Sequence, residues 1–189
     1  MKKSIHLLSF LLICLTTTAQ TIVSDEVTSD GVRHIHGSLE IARDFKDREV
    51  FSIGLGAIQT PDSVVDFLLS VKVTEMGPYH IKKGNVLLLK SFEGEVVTLS
   101  AMDDFDASVR DVHNVNGYVY SDYSTIAIYP ITKQQILSLI KGVSKIRQET
   151  FTGTHNKEFK KDKMGDILKE EYILINKSLR TSKNIYDGF

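Results

Sequence analysis

The residues most capable of chemistry stand early in the chain, at His34-Ile35-His36 followed by Glu40. On an extended strand, positions two apart share a face, so both imidazoles and the Glu40 carboxylate project together. Two neutral nitrogens and one carboxylate suit zinc, iron or manganese, and a third histidine would have to come from His80, His113 or His155. The competing reading is a pair of histidines on the solvent face of a strand. A second constellation is Tyr118, Tyr120 and Tyr123 with Asp122, because aromatic faces beside a carboxylate can hold a sugar ring. Tyrosine is also a common strand residue, which makes packing the plainer explanation. Asp103-Asp104-Phe105-Asp106 offers oxygen ligands but not the glycine and glutamate spacing of an EF-hand, and reads as a solvated loop. Lys157, Lys160, Lys161 and Lys163 crowd the start of a predicted helix, where an anion could bind, yet Glu158 and Asp162 interleave with them. No Gly-x-Ser-x-Gly elbow and no Walker-type loop occurs.

Elements that could position these groups follow from periodicity. Residues 21–33 are weakly patterned and read as a loose N-terminal arm. Ile35, Leu39 and Ile41 alternate with polar residues as a first strand, and 44–49 is a charged turn. Phe51, Ile53, Leu55 and Ala57 share one face of a second strand, with Gly54 and Gly56 opposite as a sign of a bulge or of close backbone contact. Val65 to Val73 alternates most clearly of all. Glu93-Gly94 joins two β-rich runs as a two-residue hairpin that would set Leu88 against Leu99 and Lys90 against Val97. Residues 102–117 read as the longest polar loop, and Tyr118 to Tyr129 as a strand ended by Pro130, with Ile126 and Ile128 on one face.

Thr132 and Gln135 form a capping box at the start of a short helix over about 133–141, which Gly142 closes. Val143 to Phe151 is a strand and 152–156 a loop. Met164, Leu168, Tyr172, Ile175 and Leu179 make the stripe of an amphipathic C-terminal helix over about 161–181, suited to covering a sheet. With most segments β-like and the helices late, the fold class is mainly β (α+β): an antiparallel β-sandwich or open barrel with one short helix and a C-terminal amphipathic helix.

The chain has 189 residues, 23 Lys plus Arg, 24 Asp plus Glu, one cysteine and no tryptophan. Lys2 and Lys3 precede an apolar run from Ile5 to Leu15, then Thr17 and Ala19, the order of a secretory signal peptide with cleavage before Gln20. The run is too short to span a bilayer. Cleavage would remove Cys14 and leave 21 basic against 24 acidic residues, a surface without the basic face that nucleic acid requires. The expected organisation is therefore a signal peptide at 1–19 and one β-rich domain at 20–189, exported to the periplasm, the cell surface or the medium.

Two resemblances accompany this reading. His34-x-His36-x-x-x-Glu40 resembles part of the first cupin motif, departing from it at Thr28 and Asp47, where that motif carries glycine. The stretches Pro130–Gln135, Ile140–Arg147 and Glu158–Gly165, with the signal ending Thr18-Ala19-Gln20, resemble small secreted proteins of unknown function from Bacteroidetes. That resemblance implies export and a single domain, and it carries no catalytic residue. The expected function is a non-catalytic binding or interaction module of the cell envelope, without cofactor, whose partner is a glycan or an envelope protein. The alternative is a cupin-like metal-dependent enzyme holding a divalent transition metal on His34, His36 and Glu40.

Overall fold

A computed structural model of the chain describes residues 20–42 and 50–181. The predicted signal segment and the charged turn at 44–49 lie outside the described residues. The fold is mainly β, with two helices, and its main antiparallel sheet curls into a half-barrel. The first strand, β1 (Ile22–Val27), pairs with β2 (Arg33–Gly37); β3 (Glu40–Ala42), β4 (Val50–Gln59) and β5 (Val65–Met76) follow. Then come β6 (His80–Ile81), β7 (Val86–Ser91), β8 (Val96–Ser100), β9 (Phe105–Asp106), β10 (Ser108–Val115) and β11 (Tyr118–Ile131). The chain ends through α1 (Lys133–Leu139), β12 (Val143–Glu149), β13 (Thr154–Glu158) and α2 (Gly165–Leu179). The large sheet runs β1-β2-β4-β5-β11-β10, with β3 also on β4; a second sheet runs β13-β12-β7-β8, and β6 pairs with β9.

Alternation builds the core. Phe51, Ile53, Leu55 and Ala57 of β4 lie opposite Val73, Val71, Leu69 and Phe67 of β5, which in turn oppose Thr125, Ala127, Tyr129 and Ile131 of β11. These rows face Leu87 and Leu89 of β7, Val97 and Leu99 of β8, and Ile146 of β12, with Ile136 and Leu139 of α1 and Met164, Leu168 and Ile175 of α2 in the same cluster. Thr132 caps α1 with the reciprocal Gln135 contact that the spacing predicts, and α2 lies over the faces of β4 and β2.

Several elements differ from the sequence reading, each for a local reason. The N-terminal arm is a strand: Arg33, buried within β2, donates to both Asp25 carboxylate oxygens at 2.8 Å and to the carbonyls of Ser178 and Thr181, tying β1 to the end of α2. The predicted strand at 35–41 is one track along β4 broken at Ser38-Leu39. The break reverses the alternation, so Ile41 is exposed and Ala42 buried. It lies where the chain crosses Gly54, at which a Cβ would stand 2.8 Å from the Ser38 carbonyl oxygen. Of the bulge and the close backbone contact that the glycines suggest, the second is found: β4 pairs with β5 without a register shift.

The hairpin at 86–100 is shifted by one residue. Its loop is Phe92-Glu93-Gly94, closed by Ser91 N–H to Glu95 O at 2.8 Å, with Gly94 at φ 93°. A three-residue loop ending in a left-handed glycine moves the register, so Leu87 faces Leu99 and Leu89 faces Val97. The predicted loop at 102–117 contains β9 and all of β10, and the predicted loop at 152–156 contains the start of β13. In β11 the inward face is Ala127, Tyr129 and Ile131 rather than Ile126 and Ile128. Pro130 sits within that strand opposite Leu68, past the stretch of β11 that pairs with β10, where a missing N–H breaks no ladder bond.

Candidate functional site

Among the described residues, the helix–sheet junction leaves an apolar opening. Where α2 passes the ends of β5 and β11, a groove of about 750 Å³ is lined by Ile58, Val65, Phe67, Leu68, Met102, Pro130, Ile131, Tyr172 and Leu179. The Phe67 and Tyr172 rings meet at 5.7 Å between centroids, which fixes the wall contributed by the helix. Asp66, Thr132, Lys133 and Asn176 supply its polar groups. The Asn176 side chain donates to the Tyr172 carbonyl at 2.6 Å, holding it against its own helix. Many of these residues fall on strands and helices that the sequence predicts, but none of them in a predicted site. Tyr172 and Leu179 belong to the helical stripe, but the strand-end residues come together only through the register of three strands.

Beside the groove, α2 hides an acid. Glu171 is fully buried, with one carboxylate oxygen accepting the Leu55 N–H at 2.5 Å and the other without a hydrogen-bond partner. Desolvation pushes its carboxyl up to about 8; the Leu55 N–H pulls it back in part, and the nearby Glu40 charge adds to the rise. The sequence held a sign of it. Glu171 follows Leu168 by three and precedes Ile175 by four, so a charged residue stands on the apolar stripe.

The sequence-derived site residues fall in different places. His34 is half-buried and His36 exposed on β2, and Glu40 lies beyond the Ser38-Leu39 break on β3. Among the described residues, the single group with three ligand atoms within 4.8 Å of one another is Asp111, His113 and Asp122, so His34, His36 and Glu40 are not brought together. The other histidines have contacts of their own. His80 stacks on Phe151 at 4.5 Å, His155 is 3.0 Å from Glu75, and His113 Nε2 is 2.9 Å from Asp122.

Asp111 and Asp122 face one another across the β10–β11 hairpin, and Arg110 lies 3.1 Å from Asp111. These groups satisfy one another as an ion pair and a carboxylate–imidazole contact, and nothing about them indicates a metal. Tyr118, Tyr120 and Asp122 do share one hairpin face, with Tyr120 stacked on His113 at 4.9 Å, while Tyr123 packs against the core. Two of the acidic residues at 103–106 serve the local structure: Asp104 accepts the Lys83 N–H at 2.7 Å, and Asp103 accepts the Asp104 N–H. The lysine cluster does not frame an anion site either. Asp162 Oδ1 accepts N–H groups from Met164 and Gly165, and Oδ2 that of Asp166, so the chain's own carboxylate occupies that helix start.

Comparison with protein-family models, with curated proteins and with solved structures finds no match. The likeness to secreted Bacteroidetes proteins therefore rests on the residues quoted for it alone. No described helix is long and apolar enough to cross a membrane.

Proposed function

We propose that this protein is a non-catalytic binding module of the bacterial cell envelope, delivered by the segment at 1–19, and that it holds an apolar or amphipathic ligand in the groove beside α2. The groove carries this reading. Its volume falls in the range of small-molecule sites, its walls are apolar, and its few polar groups can orient one end of a ligand. Burial of apolar ligand surface supplies the affinity, at roughly 25 cal/mol per Å² before the costs of association. Asp66, Lys133 and Asn176 contribute direction rather than strength.

The test is to express the full chain in a Gram-negative host, purify the protein from the periplasmic fraction, and titrate it with anilinonaphthalene sulfonate and with a long-chain fatty acid as competitor. The expected result is a chain beginning at Gln20 that binds the dye saturably at one site and releases it to the fatty acid. Met102→Glu, an exposed position on the groove wall, should weaken binding of the anionic dye about tenfold or more, while Val119→Glu on the distant hairpin leaves it unchanged. Absence of saturable binding, or equal loss in both variants, would reject the groove as the site.

A further inference from the structure

The β10–β11 hairpin outruns the sheet that carries it. Pairing between β11 and β5 stops at Asp122 opposite Met76, whereas β10 and β11 stay paired to the turn at Asn116-Gly117. Residues 112–121 are thus a two-stranded ribbon beyond the sheet, and a free ribbon of that kind is marginal in water. Apolar side chains nevertheless stand out on both of its faces: Val112 is 65% exposed, Val119 67% and Tyr118 78%. Residues 112–115 carry neither proline nor a charged lysine, arginine or carboxylate. The bulge between Val109 and Asp111, with Arg110 and Asp111, bounds the open edge on the sheet side and confines any pairing to the stretch about Val112.

The two-residue turn, with Asn116 and Gly117 both at positive φ, fixes the alternation of the ladder. It makes Val115–Tyr118, His113–Tyr120 and Asp111–Asp122 the pairs that exchange backbone bonds, so the N–H and C=O of Val112 and Asn114 point to the open side. A second β10, laid antiparallel with Val112 opposite Val112, matches this edge to itself. Outward backbone groups then meet outward groups, and Asp111 of each copy lies opposite His113 of the other.

We propose that β10 is a self-association edge through which two copies of this chain pair antiparallel about Val112. The occupant is a second copy rather than a foreign strand because the same few residues supply both halves of the match: an apolar centre flanked on each side by Asp111 facing His113. These charges stay half-exposed beside their own partners Arg110 and Asp122 and can be shared across the seam. A short strand pair buries less than a standard interface, so the dimer is weak and concentration-dependent. This surface is separate from the groove, and its failure would leave the binding reading untouched.

Sedimentation equilibrium over about a hundredfold range of concentration, with residue-resolved amide exchange at both ends of the range, tests it. The expected result is a mass rising toward the dimer, with the Val112 and Asn114 amides becoming protected as it rises. Val112→Lys sets two like charges opposite each other at an exposed position and should weaken association about tenfold or more with an unchanged circular dichroism spectrum. A protein that stays monomeric throughout overturns the proposal. So does a dimer in which those two amides exchange freely, and that measurement stands even where the variant misfolds.

Discussion

Glu171 shows how a single residue sets a property of the whole fold. Its carboxyl is raised to about 8 by burial against β4, whereas in the unfolded chain it titrates as an ordinary glutamate. The folded state therefore holds a proton that the unfolded state has released between about pH 5 and pH 8. Stability is greatest below the unfolded value and falls as pH rises through the folded one. At about 1.4 kcal/mol per unit of difference, the change amounts to a few kcal/mol. Glu171→Gln keeps the shape and an acceptor for the Leu55 N–H, but it cannot ionise. Chemical denaturation at pH 5 and pH 8 should show the variant gaining stability over the wild type at the higher pH. Parallel pH profiles for the two proteins would refute that account.

At the scale of elements, Asp162 joins the last helix to the second sheet. Besides three N–H groups in the first turn of α2, its carboxylate accepts the Val143 N–H at the start of β12. There Gly142 and Gly165 approach so closely that a Cβ on Gly165 would stand 2.7 Å from the Gly142 Cα. Asp162→Ala removes all of these acceptors while both glycines still hold the backbones together. Loss of a cap costs about 0.5–2 kcal/mol, and the value here belongs at the upper end because four donors lose one partner. Thermal melting should fall by roughly 4–8 °C, and Asp162→Asn should recover part of it.

Whole elements differed in how plainly they could be read in the sequence. Both helices, β5 and the capping box were visible because each follows from neighbours three or four apart, or two apart, along the chain. The strands β1 and β10 were not. β1 lacks an alternating apolar face and owes its place to the ion pair with Arg33 and the end of α2. β10 is exposed along nearly all its length, and its pairing follows from the Asn116-Gly117 turn.

Over the whole molecule, one core is shared by both sheets and both helices. A buried polar bridge crosses it: the Gln148 side chain of β12 donates to the Tyr129 hydroxyl of β11 at 3.0 Å, and both residues are fully buried. A shared core predicts a single cooperative unfolding transition for the chain from Gln20 onward. Gln148→Leu would leave the Tyr129 hydroxyl unpaired, and it should lower stability by about 1–3 kcal/mol while the transition stays single. Separate transitions, seen by tyrosine fluorescence and by far-ultraviolet dichroism, would show instead that the two sheets fold independently.

What the sequence determined by itself was local: the alternation that makes most of these segments strands, the 3.6-residue stripe that makes α2 amphipathic, and the capping of α1. These properties depend on residues within a few positions of one another. The groove, the burial of Glu171, the separation of His34 and His36 from Glu40 and the overhang of β10–β11 depend on register and crossing. A loop longer by one residue, as at Phe92-Glu93-Gly94, or a break in one track, as at Ser38-Leu39, reassigns every side chain beyond it to the other face. Such choices are decided by which strands meet, and therefore only in the folded molecule.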